Sequence, residues 1–150
     1  MNGDGRTPVF TGKTWEAGAP HAPGNLAAGR LLFTSGITAR AADGELIAPG
    51  DMRRQAALVV ANLKDVLTAG GADVGDIVKL TVYVTSMDDF LEVRDVWSPL
   101  YASRPASTLV EVARLQHPGM VIEIEVVALA TRSSDGIPPA MARGGRLVQP

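Results

Sequence analysis

Residues 121–127 read Val121-Ile122-Glu123-Ile124-Glu125-Val126-Val127, and their alternation decides the fold. Successive side chains of a strand point to opposite faces, so Glu123 and Glu125 share one face while Ile122, Ile124 and Val126 share the other. Two carboxylates spaced about 6–7 Å along one sheet face are either a charged surface or a site.

Working outward, the chain supplies the other elements of a mixed sheet with helices. Ile77 to Thr85 alternates too, with Val78, Leu80, Val82 and Val84 on one side and Lys79, Thr81, Tyr83 and Thr85 on the other. Between residues 50 and 71, Met52, Ala56, Val59, Val60, Leu63, Val66 and Leu67 fall on one stripe at helical spacing, with Asp51 as N-cap and Gly70-Gly71 as the stop. A second helix starts at Ser86 and carries Phe90, Val93, Trp97 and Leu100, and Pro99 ends or kinks it. Arg30 to Ser35 reads as a strand closed by Gly36, residues 108–114 and 121–130 as two more, and Val9 to Trp15 as an N-terminal hairpin.

Two helices cover only one face of such a sheet. The other face, with Lys79, Thr81, Tyr83, Thr85, Glu123 and Glu125 beside Val121, Val127 and Leu129, is too mixed for a core and too apolar to stay wet. A subunit interface is the expected solution, and polar groups buried there must find partners.

The composition bounds the function. The 150 residues are 46% hydrophobic and 20% charged with a net charge of -2, and the pI of about 5.6 gives no global attraction to nucleic acid or membrane. Zero cysteines exclude disulfides, thiol nucleophiles and Cys-ligated metals. The N-terminus lacks the pattern of a signal peptide and no run approaches a spanning helix, so a cytoplasmic protein is expected. Neither His21 nor His117 stands in a metal-ligand pattern, and no glycine-rich phosphate loop is present.

Glu125 is the catalytic candidate, because a carboxylate at an interface can orient or deprotonate water; the alternative is a salt bridge to Arg114, Lys79 or a neighbouring chain. Glu123 reads as structural. Substrate-binding candidates are His21 in a Pro-bounded loop, Ser35 and Gly36 at a strand end where a ligand can approach the backbone, Arg94, and Arg104 with Ser107 at the mouth of a strand. Ser107 has no sequence neighbour that would make it a nucleophile.

Three stretches carry a resemblance: GNLAAGRLLFTSGI (24–37), AALVVANLKDVLTAGGADVGDIVKLTVYVTSMDDF (56–90) and PASTLVEVARLQHPGMVIEIEVVALA (105–130). Over roughly residues 18–130 the chain resembles the Rid (YjgF/YER057c/UK114) family of reactive-intermediate or imine deaminases. The resemblance implies a chorismate-mutase-like α+β subunit, a mixed sheet with two helices on one face, flanked here by an N-terminal segment (1–17) and a flexible tail (131–150). It also implies a homotrimer whose sheets form an inner barrel, with ligand clefts between subunits.

The implied activity is cofactor-independent hydrolysis of a small enamine or imine acid to the oxo acid and ammonia. It requires no metal, nucleic acid or membrane. The family pattern matches at Thr34-Ser35-Gly36 and, on this reading, at Glu125. It departs at Ser107, where the family places a carboxylate-gripping arginine, and at His21, Arg94 and Leu109. Arg94 or Arg104 is expected to supply a relocated clamp for a differently shaped imine acid; the alternative is a non-catalytic trimer that binds a small metabolite in the same cleft.

Overall fold

The computed structural model describes residues 5–132. Six strands are present among them: β1 (Arg6–Val9), β2 (Gly24–Ala27), β3 (Leu31–Phe33), β4 (Ile77–Val84), β5 (Ala106–Glu111) and β6 (Ile122–Leu129). The helices are α1 (Met52–Ala69), α2 (Met87–Glu92) and α3 (Arg94–Trp97). β1 and β2 form an antiparallel ribbon, and the main sheet has the order β3-β6-β4-β5, in which only β4 and β5 run parallel. The fold is the expected mixed α+β class.

Along β4 and β6 the alternation is realised as burial: Leu80, Val82, Val84, Ile122, Ile124 and Val126 are buried, while Lys79, Thr81, Tyr83, Glu123 and Glu125 are half-buried. The buried set packs with Ala56, Val59, Leu63 and Leu67 of α1 and with Phe90, Trp97 and Leu100 in one apolar cluster. Each such fully buried large aliphatic side chain contributes about 1.5–3 kcal/mol by leaving water. The helices therefore cover one face and leave the carboxylate face open in the single chain.

Local chemistry sets the element ends. Asp51 accepts a hydrogen bond from Arg54 N at 2.9 Å to start α1, and Ser86 Oγ accepts from Asp89 N at 3.2 Å to start α2. The buried amide of Gln55 donates to Ala48 O and Gly119 O and accepts from Val121 N, fastening two loops to α1.

Several expected boundaries move. The second helix is broken at Val93, whose φ of -103° and ψ of 28° end α2, and a 3-10 turn at Ser98–Tyr101 follows α3. Its apolar stripe survives the break because Phe90, Val93, Trp97 and Leu100 are all buried. No hairpin forms between Val9 and Trp15. Instead β1 pairs with β2 across a long connection containing a 3-10 turn at Thr14–Ala17. That connection is organised by Glu16, whose buried carboxylate accepts bonds from Thr11 N, Thr11 Oγ1 and Gly12 N. The expected strand 108–114 begins and ends earlier, at Ala106–Glu111. Of the tail expected to be flexible, residues 133–150 lie outside the described residues.

Candidate active site

The strand β3 continues irregularly past Phe33. Thr34 N donates to Val126 O and Ile37 N donates to Ile124 O, so two residues, Ser35 and Gly36, stand opposite the single residue Glu125. This is a β-bulge, a device that interrupts ladder pairing and re-aims the chain. Thr34 Oγ1 pins its near end by accepting from Val126 N at 3.0 Å.

Both carboxylates lie at this bulge, in different settings. Gly36 rests against the side chain of Glu123: a β-carbon added to it would fall 1.7 Å from Glu123 Oε1. Glu125 Oε1 instead accepts a hydrogen bond from Tyr83 Oη at 3.2 Å. It also lines a cavity of about 140 Å³ with Phe33, Thr34, Lys79, Thr81, Val126 and Val127. Burial and the nearby Glu125 and Glu123 charges push the Tyr83 phenol above its usual range, so it stays a protonated donor. Of the alternative salt-bridge partners for Glu125, Lys79 is engaged elsewhere: its Nζ donates to Thr108 Oγ1 at 2.6 Å.

Ser107 faces the other way. It is paired with Leu80 in the parallel ladder and shares that residue's helix-covered face, whereas Thr108 is paired with Thr81 on the open face. Ser107 Oγ and Tyr101 Oη are 3.0 Å apart in a hydroxyl pair. Tyr101 meets Trp97 edge-on at 5.4 Å, and Trp97 stacks on Phe90 at 4.6 Å. One chain therefore presents Ser35, Gly36, Glu123 and Glu125 on one side of the sheet and Ser107 on the other.

Neither candidate arginine joins the bulge. Arg104, in the left-handed backbone region at φ 50°, donates from Nη2 to Glu16 O at 2.7 Å and Ala19 O at 3.1 Å. Its guanidinium lies 4.7 Å from the Phe10 ring centre, so it clasps the N-terminal connection to the start of β5. Arg94 is exposed, with its guanidinium 5.8 Å from the Trp97 ring centre. His21 lies 6.3 Å from Trp15 between ring centres, and the adjacent Ala22 bridges to Ala106, placing His21 beside the start of β5.

The contacts not legible in the sequence are those of Tyr83, read only as part of an amphipathic face, with Glu125, and of Glu123, read as structural, with Gly36. Their partners come from other strands, so the missing signal was register. Among the described residues no group of His, Cys, Asp or Glu could hold a metal ion, and no helix is long and apolar enough to cross a membrane.

Comparison with known proteins agrees with this architecture. A family described as Endoribonuclease L-PSP matches residues 12–130. The 2-iminobutanoate/2-iminopropanoate deaminase of Escherichia coli K12 is 38% identical over 109 residues, covering 69% of this chain and 81% of that protein. A Rid-family protein of unknown function from Yersinia pestis superposes with a TM-score of 0.74 at 30% identity, covering 83% of this chain and 98% of that one. The chain belongs to the Rid family. A Rid-type subunit accounts for the strand order, the helix-covered face and the open carboxylate face in one assignment. A relative from Pyrococcus abyssi, named a RutC family protein, is 34% identical over 122 residues and extends the match to 80% of this chain and 94% of that protein. The similarity to named imine deaminases supports a deaminase role for this Rid protein.

Proposed function

We propose that the chain hydrolyses a small enamine or imine to the carbonyl compound and ammonia without a cofactor, in a cleft completed by a neighbouring copy of the chain in a homotrimer. Water adds to the carbon of the C=N bond, the resulting carbinolamine loses ammonia, and the carbonyl remains. Free imines already hydrolyse in water, so the protein need only hold the substrate, favour the imine tautomer and aim the water.

The observation that carries this reading is Gly36 packed against Glu123 at the Ser35–Gly36 bulge. The absent side chain leaves room for the Glu123 carboxylate against the strand end, and a carboxylate at that spot can orient and deprotonate water. The reading therefore transfers the water-orienting role from Glu125 to Glu123. Glu125, fixed by Tyr83, is an electrostatic neighbour that favours the positive charge developing on the imine nitrogen.

A second reading, a non-catalytic metabolite-binding trimer, draws on Ser107 standing where the resembling family has a guanidinium, and on Arg104 being engaged with backbone carbonyls. Binding of a nucleic-acid backbone is disfavoured by the two carboxylates on the open face. Ammonia release from freshly generated imines separates the two main readings. A rate above buffer that falls about 10²-fold or more in Glu123→Gln supports catalysis, and no rate above buffer across chemically varied imines overturns it.

A further inference from the structure

β6 lies between β3 and β4 in the sheet, so each of its two carboxylates has a neighbour on either flank. In the β4 ladder Tyr83 stands directly opposite Glu123, and Thr81 directly opposite Glu125. Directly opposed residues have β-carbons about 4.5–5.5 Å apart, and diagonal neighbours lie about 7–8 Å away, a reach open to aromatic side chains and closed to short ones. Tyr83 uses that reach: its Oη bypasses the opposed Glu123 and donates to the diagonal Glu125 Oε1 at 3.2 Å. On the other flank of β6, Gly36 lies against Glu123.

This crossing treats the two carboxylates differently. A phenol has one O–H and donates one hydrogen bond, and here that bond goes to Glu125. Burial, with the Glu125 and Glu123 charges, keeps the phenol protonated and able to give it. The Tyr83 ring meanwhile flanks Glu123 on its β4 side, and the Glu123 side chain turns to the β3 side, where Gly36 has no β-carbon to obstruct it. A phenylalanine at position 83 would flank Glu123 without tying Glu125.

We propose that Tyr83 is the positioning residue of this site: it ties Glu125 diagonally across the ladder and leaves Glu123 as the carboxylate at Gly36. The role rests on the deaminase reading and adds to it a residue that acts through another and touches no substrate. The geometry lies within one chain and is repeated in every copy of an assembly.

The test is a double-mutant cycle on imine hydrolysis, with each variant checked for folding by circular dichroism. Tyr83→Phe keeps the ring and removes the O–H, and Glu125→Met removes the acceptor. Tyr83→Phe is expected to lower kcat by about 3–10-fold with KM changed by less than about twofold. In the Glu125→Met background the same change is expected to lower kcat by less than about twofold, because the bond it removes is already gone. Separate structural effects would instead multiply. A native kcat in Tyr83→Phe, or full multiplication of the two losses, overturns the proposal.

A second measurement needs no turnover. The Cζ resonance of Tyr83 in isotope-labelled protein reports its titration, which burial and the Glu125 carboxylate hold above the usual range. Glu125→Met is expected to move that titration down towards the ordinary value, and an unmoved titration overturns the proposal whatever the kinetics. The two failures stay distinct. Turnover without coupling between Tyr83 and Glu125 removes the positioning role and leaves the deaminase standing, whereas no native turnover above buffer removes the deaminase reading and this role with it.

Discussion

Gly36 lies against Glu123 so closely that a β-carbon on it would meet Oε1 at 1.7 Å and the carboxyl carbon at 2.5 Å. The backbone of Gly36 is not in the left-handed region, so its need for glycine is set by that carboxylate and not by φ. Gly36→Ala is therefore expected to fold, with the Glu123 side chain displaced. The outcome is a melting temperature close to native together with a loss of about tenfold or more in kcat/KM for imine hydrolysis. A folded variant with native kinetics would remove the bulge from the site.

How much of this was legible in the sequence depends on the range of the interactions. The stripe and caps of α1 are local, and Asp51 and Gly70 bound the helix as read. The alternation of β6 correctly put Glu123 and Glu125 on one face. Which of them meets Gly36 depends on the one-residue slip at Ser35–Gly36 against a strand about 90 residues away, which periodicity cannot report. The setting of Arg104 was hidden for the same reason: its carbonyl partners at Glu16 and Ala19 lie 88 and 85 residues back in the chain. The break at Val93 escaped because the apolar stripe runs through it uninterrupted.

Arg104 clasps the N-terminal connection through Glu16 O and Ala19 O, and a structural role and a ligand clamp predict different outcomes. Arg104→Met is expected to lower stability by about 1–3 kcal/mol through two lost charge-assisted bonds, read by urea denaturation. It should leave the preference between neutral and anionic ligands unchanged. A selective loss of anion binding would restore the clamp.

Gln55 is fully buried and its side chain satisfies three backbone groups in the segments around Ala48 and Gly119–Val121. Gln55→Leu strands Val121 N in the interior, whereas Ala48 O and Gly119 O keep their bonds from Asp51 N and Gly50 N, and a destabilisation of about 1–3 kcal/mol is expected in equilibrium unfolding. A change under about 0.5 kcal/mol would mean that water replaces the amide without cost.

The hydrogen bonds from Thr11 hold the Glu16 carboxyl below its ordinary value of 4.5, against the opposing effect of burial. A carboxylate depressed in the folded state contributes stability that is fully present above the unfolded value and lost as pH falls through the folded one. The Thr11 and Gly12 amides should therefore be protected from hydrogen exchange near neutrality, and that protection should fall as pH drops below about 4.5 after correction for intrinsic exchange. Protection that holds through this acid range would show that Glu16 does not anchor the connection.

The most direct test of the account is ammonia release from a panel of freshly generated neutral and acidic imines by the native chain and by Glu123→Gln, with folding checked by circular dichroism. The account predicts a native rate above buffer and a fall of about 10²-fold or more in the variant. A native rate no greater than buffer across the panel, or an undiminished rate in folded Glu123→Gln, would contradict it.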